Sequence, residues 1–183
     1  MSGMPFLERE KSVDRRTGPL NSDACNNRAS RLELFIRAAE KADLPAVLRL
    51  YAQPEFDDGS VLSLAQAEAL FERMQRYPDY RLYLAEVDGQ VVGTFALLFM
   101  DNLGHLGAPS GVVEDVAVDP IWQGQGIGTA MMRWAIEYCR NKGCYKLALS
   151  SNLKRGRTHA FYESLGFERH GYSFLIRLGE LLF

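Results

Sequence analysis

The stretch Val116–Gly128 reads VAVDPIWQGQGIG: an apolar start, a break at Asp119-Pro120, then glycine at the alternate positions 124, 126 and 128. The apolar residues have the character of a strand. From Gly126 to Lys142 the pattern turns helical, with Ile127, Ala130, Met131, Trp134 and Tyr138 on one face and Gly143 in the usual position just past a helix end. The glycines therefore lie between a strand and a helix start. Such a start leaves about four backbone N–H groups unpaired and carries roughly half a positive charge. Most helices answer with an acidic or hydroxyl cap, but no Asp or Glu occurs between Asp119 and Glu137. Glycines let an external anion come close to the bare amides, so the stretch reads as a phosphate or pyrophosphate site.

Two familiar phosphate loops fail against it. A P-loop ends in Gly-Lys-Ser/Thr, whereas this one ends Gly128-Thr129-Ala130. A dinucleotide fingerprint needs G-x-G-x-x-G and an acidic residue about twenty positions on. Here the spacing is G-x-G-x-G, and the following strand ends Ser150-Ser151-Asn152. A plain strand–helix turn is the remaining alternative, and three glycines exceed what it requires.

Outward from this point the elements follow. LELFIRAA (residues 32–39) reads as a strand, and Asp43 caps a helix carrying Leu44, Val47, Leu48 and Tyr51. Ser63 to Arg76 is a second helix with Leu64, Ala67, Leu70, Phe71 and Met74 on one face, closed before Pro78. Strands Leu82–Val87 and Val91–Met100 are joined by the hairpin dipeptide Asp88-Gly89. After the loop DNLGHLGAPSG come a strand Val112–Val118, the helix after the glycines, a strand Tyr145–Ser150, a short helix Thr158–Leu165 stopped by Gly166, and a final strand Tyr172–Leu178. The order β-α-α-β-β-β-α-β-α-β predicts an α/β protein of α+β character, a mixed sheet with helices on both faces.

Composition sets the wider bounds. The 183 residues fit one domain, taken as 31–183, behind a polar, charge-dense tail over residues 1–30. A formal charge of −2 gives no electrostatic reason for a nucleic-acid partner. The longest apolar run, Val91 to Met100, is too short for a bilayer, and residues 1–20 lack the order of a signal peptide. Cys25, Cys139 and Cys144 form neither a disulfide framework nor a zinc cluster, so a reduced, cytoplasmic protein without a metal is expected.

The residues also carry a resemblance. Gln123-Gly124-Gln125-Gly126-Ile127-Gly128 is similar to the Q/R-x-x-G-x-G/A motif of the GCN5-related N-acetyltransferase (GNAT) superfamily, and Asn152 followed by HAFYESLGF (159–167) resembles its second signature. The likeness covers about residues 32–178. VEDVAVD and GCYK resemble glucosamine-phosphate N-acetyltransferases, whereas LSSNLKRGRTHAFYESLGF resembles aminoalkylphosphonate N-acetyltransferases, and these hints point in different directions. The superfamily likeness implies a central, mostly antiparallel sheet with two splayed strands, and acetyl-CoA as cosubstrate. Its pyrophosphate would meet backbone N–H groups from Gln123 through Gly124, Gln125, Gly126, Ile127 and Gly128 to Thr129. Its pantetheine arm would pair with the main chain of Val116, Ala117 and Val118, and Asn152 would hold an amide of that arm.

Acetyl transfer to an amine needs a neutral nucleophile, a stabilised oxyanion and a protonated leaving thiolate. Tyr162, with a phenol that ordinarily titrates near 10, is the candidate acid, although its ring also suits the core. The Val118 N–H is a candidate oxyanion donor. Glu114 is the first candidate base and Asp115 the reserve, the two being expected on opposite sheet faces, with relay through water alone the alternative. His105 is a loop histidine that either touches substrate or is idle. Lys154, Arg155 and Arg157 either meet an anion or form a solvated helix entry. No base partner is signalled for Cys139 or Cys144, so direct attack in a ternary complex is preferred to an acetyl-cysteine.

The expected function is transfer of acetyl from acetyl-CoA to a primary amine of a small molecule. The long 101–111 loop and the 53–62 segment suggest walls about a compact acceptor, and Asp57-Asp58 suits a cationic amine or plain solvent. A protein lysine or N-terminal acetyltransferase and a noncatalytic acyl-CoA sensor are the alternatives. A homodimer is compatible with the last strand, which reaches a partner's sheet in many relatives of this resemblance.

Overall fold

A computed structural model describes residues 33–176. The expected tail over residues 1–30 lies outside the described residues. Five strands, β1 (Leu34–Ala38), β2 (Tyr80–Val87), β3 (Gln90–Met100), β4 (Ser110–Val118) and β5 (Lys146–Leu149), form one sheet in chain order. Neighbours are antiparallel except β4 and β5, which run parallel because α3 (Ile127–Asn141) carries the chain between them. The other helices are α1 (Leu44–Tyr51), α2 (Leu64–Met74) and α4 (Gly156–Ser164). This is the mixed, mostly antiparallel sheet that the element order implied.

Alternation along β2 and β3 divides the core in two. Tyr83, Ala85, Val87, Phe95 and Leu97 point to one face with Val113 of β4, where α3 brings Ile127, Met131, Met132, Ala135 and Cys139. Leu82, Leu84 and Ala96 point to the other, covered by Leu44 and Val47 of α1 and by Ala67 and Phe71 of α2. The buried stripe of α3 is turned slightly from the expected one. Trp134 and Tyr138 lie at its margin, where their rings pack on Tyr83, Phe95 and Phe99.

Local chemistry explains the boundaries. Asp88 and Gly89 both take positive φ (50° and 77°), as a two-residue hairpin turn demands. Ser63 and Gln66 cap α2 reciprocally. Gly143 and Gly166 leave α3 and α4 in left-handed conformation, as the sequence indicated. Asp43, in contrast, does not cap α1 with its side chain. Its carboxylate accepts the Glu40 N–H at 2.7 Å and both terminal nitrogens of Arg37, whose guanidinium also holds Glu86. A cation with two carboxylates in reach outcompetes a neutral backbone amide for Asp43.

The last expected strand is not there over the described residues. Tyr172–Ile176 forms no ladder, and Tyr172, Phe174, Leu175 and Ile176 are exposed. β-branched and aromatic residues favour a strand only where another strand receives them. Residues 177–178 of that expected strand lie outside the described part. No helix among the described residues is long and apolar enough to cross a membrane.

Candidate functional site

The parallel ladder between β4 and β5 has four rungs and stops at Val113↔Leu149, while β4 runs on to Val118. From Glu114 onward the two strands diverge, leaving one edge of β4 without a neighbour. The direction of the free groups follows from the register. Asp119 N–H donates to Val92 O, so Val118 and Gly93 are a pair without mutual hydrogen bonds. The Val118 N–H and C=O therefore face away from β3 and into the gap, and by the same alternation those of Ala117 turn toward β3. Two glutamine amides fasten the Val118 carbonyl, Gln53 Nε2 at 3.2 Å and Gln123 Nε2 at 3.1 Å. They leave its N–H as the donor presented to the gap.

A bulge sits just before this point. Thr94 pairs with Ala117 and Ala96 with Glu114, so Asp115 and Val116 together oppose Phe95, and Asp115 adopts φ 53°. The extra residue breaks the strict alternation on which opposite faces for Glu114 and Asp115 depended. Both are exposed, and the charges of both act on the half-buried Tyr80, whose phenol is pushed up by burial, then by Asp115 and Glu114. Partial burial also raises both carboxyls, Glu114 further by the charge of Asp115 and Asp115 further by that of Asp57.

The glycines behind β4 have different duties. Asp119, itself buried, ends the strand by accepting the Ile121 N–H at 3.0 Å and an Arg49 bond from α1 at 2.6 Å. Gly124 and Gly126 take φ 76° and 86°, and side chains there would project into open space. Gly126 is the N-cap of α3, with no acid in the first turn and no side-chain cap. The first ladder bond runs from Ala130 to Gly126, so Ile127, Gly128 and Thr129 keep free N–H groups among the described residues. Such a turn can bind an anion through its backbone. Gly128 serves packing instead, since a Cβ there would meet Phe161 Cζ at 3.3 Å. Gln123 and Gln125 spend their side chains on the Val118 and Ile121 carbonyls, so only their backbone is available.

Across the gap, α4 carries Tyr162, whose ring packs at 5.1 Å from Phe161 and 5.6 Å from Phe167. Burial pushes its phenol up, Arg155 opposes, and Glu114 adds to the rise. Tyr162 and Glu114 are thus within electrostatic reach of one another although 48 positions separate them in the chain. The Asn152 side-chain oxygen accepts the Lys154 N–H at 3.0 Å, and the Asn152 main-chain carbonyl meets His159 Nε2 at 2.9 Å.

Sequence reasoning took residues 53–62 for a wall of the site but missed what fastens that roof. The segment after α1 is tied on one side by Gln53 to Val118 O, and on the other by Arg155, which donates to Glu55 O and lies 5.9 Å above the Phe56 ring. Residues 53–56 therefore bridge the end of β4 and the β5–α4 loop. Arg155, expected as an anion contact or solvated charge, is committed to this bridge. Only a lone glutamine and one arginine of a basic cluster signal it in sequence. His105 stacks on Tyr145 at 4.0 Å in the loop before β4. Burial pushes the Cys139 thiol up to about 12 and raises Cys144, so neither is a ready thiolate.

Comparison with known proteins agrees with this geometry. The family described as "Acetyltransferase (GNAT) family" matches residues 44–167. The chain is 32% identical to glucosamine 6-phosphate N-acetyltransferase of Trypanosoma brucei brucei, over 76% of this chain and 92% of that one. It is 33% identical to aminoalkylphosphonate N-acetyltransferase of Salmonella typhimurium, over 53% of this chain and 62% of that one. The solved structure of a Trypanosoma brucei acetyltransferase superposes with a TM-score of 0.67 at 31% identity, covering 80% of this chain and all of that chain.

Proposed function

The chain belongs to the GNAT acetyltransferase family and is an N-acetyltransferase, and from that premise we propose that it moves acetyl from acetyl-CoA directly to a primary amine of a small molecule held in the same gap. One observation carries the reading: β4 loses its parallel partner after Val113, just where a strand-like ligand needs a free edge.

The residues present fit the cosubstrate. The turn from Gln123 through Gly124, Gln125, Gly126, Ile127 and Gly128 to Thr129 offers backbone N–H groups, uncapped and without an acid, to a diphosphate. Beside the gap run the main chains of Val116, in the bulge, Ala117, turned toward β3, and Val118, along which a pantetheine arm would lie, and Asn152 keeps a free amide nitrogen for the same arm. Acetyl-CoA, when bound, supplies the acetyl thioester. The Val118 N–H then stands as the oxyanion donor. Glu114, with its raised carboxyl, accepts a proton from the acceptor's ammonium, directly or through water, so that the neutral amine attacks, and Asp115 tunes it by like charge. Tyr162 holds a proton on its phenol oxygen for the departing sulfur.

The bridge formed by residues 53–56 favours a compact acceptor over a protein lysine, because a peptide-wide groove would need that side open. Thiol release from acetyl-CoA, measured against a broad panel of amines, tests the proposal. Turnover by at least one small amine is expected. Tight CoA binding without any turnover would leave a sensor in its place.

A further inference from the structure

Asp119 is the only buried carboxylate among the described residues, and it stands where β4 gives way to the glycine segment. Its two oxygens have separate duties. Oδ1 accepts the Ile121 N–H at 3.0 Å, and Oδ2 accepts Nη1 of Arg49 at 2.6 Å. The anion turn hangs from this point. Gln125 Nε2 donates to the Ile121 carbonyl at 2.8 Å, and the Gln123 N–H turns back to Pro120 O. Arg49 comes from the last turn of α1 and donates with Nη2 to the Val91 carbonyl of β3 at 2.8 Å. One guanidinium thereby joins α1, β3 and the root of the turn.

The bond to Ile121 alone needs no charge, since asparagine caps a helical turn about as well as aspartate. A bare carboxylate at this place works against the turn. A buried charge is weakly screened, and its negative field opposes the positive end of α3, where Ile127, Gly128 and Thr129 keep free amides. No other acid lies between Asp119 and Glu137, so this is the one like charge that the segment itself sets before an arriving anion. Arg49 cancels it and holds the strand end at the same time. On the reading given under Proposed function, we infer that Arg49 is a positioning residue for the cosubstrate. It neutralises Asp119 so that the turn attracts the diphosphate of CoA, and it acts through Asp119 rather than on the reacting atoms.

Calorimetric binding of CoA and dephospho-CoA, with pantetheine read by competition, tests this without any acceptor amine. Arg49→Met keeps much of the side chain's length and removes its charge. It is expected to raise Kd about tenfold for CoA and dephospho-CoA, which share the diphosphate, and less than about twofold for pantetheine, which lacks it. Adding Asp119→Asn removes the charge left bare and should return CoA affinity to within about threefold of the parent. Asp119→Asn alone keeps an oxygen for the Ile121 N–H and should bind CoA at least as tightly as the parent. That single variant decides the matter if Arg49→Met does not fold, because a purely structural ion pair would make it bind CoA more weakly. Such weakening overturns the inference. So does an unchanged Kd in Arg49→Met, an equal loss for all three ligands, or a double variant no better than Arg49→Met. Each of these leaves the acetyltransferase reading standing, whereas a parent protein that does not bind CoA overturns both.

Discussion

The methyl group that Gly128 lacks would stand 3.3 Å from the Phe161 ring, so α3 and α4 touch where the first turn of α3 offers its amides. The three glycines thus divide into two that open the turn and one that admits a neighbouring helix. Gly128→Val is expected to destabilise the fold by about 1–3 kcal/mol in urea unfolding, since overpacking forces one helix to move. Phe161→Ala combined with it should cost less than the sum of the two changes, and a strictly additive double mutant would show that the ring is not what the valine meets.

Tyr162→Phe keeps the ring packing on Phe161 and Phe167 but removes the proton. It is expected to lower kcat on the order of a hundredfold, with acetyl-CoA binding nearly unchanged. In the parent protein, burial raises this phenol above its ordinary value, so the alkaline decline of kcat belongs above about pH 10. A decline beginning near neutrality would assign the acid elsewhere.

A base works only when deprotonated, so raised carboxyls at Glu114 and Asp115 move the acid limb of kcat/KM above the ordinary glutamate range of about 4.3. Asp115→Asn removes a like charge and should shift that limb toward lower pH. Glu114→Gln should abolish the limb along with most of the rate. An unshifted limb in Asp115→Asn would detach the pair from each other, and full activity in Glu114→Gln would leave proton removal to water.

Arg37 makes two bonds to Asp43 and holds Glu86, and the Asp43 carboxyl is lowered chiefly by that bond. A depressed carboxyl contributes stability above its unfolded value, and that contribution fades as pH falls through the folded one. Asp43→Asn is expected to cost about 1 kcal/mol at pH 7, an amount already reduced for the partial exposure of Arg37. The gap between variant and parent in urea should close below about pH 4. A gap independent of pH would show that the loss comes from the Glu40 amide instead.

The legible parts of this molecule were those written in local pattern. Period 3.6 marked α3, Asp88-Gly89 marked the hairpin, and the missing acids before Glu137 marked the bare turn. The bulge at Asp115 was hidden because VEDVAVD looks like an unbroken strand, and register is set by the partner β3, not by the segment itself. The fastenings of the roof were hidden for a related reason. Gln53 and Val118 are 65 positions apart, and Glu55 and Arg155 are 100 apart. Neither pair has any periodic signature. Asp43 misled because a cap and an ion pair use the same side chain, and only the fold brings Arg37 to it.

Four rungs join β4 to β5, and the seam then stays unstitched. Substitutions that zip it further should harden the free protein against heat while closing the slot proposed for acetyl-CoA. On the proposed reading, selection for robustness alone would therefore drive this sheet toward a sturdier and silent form.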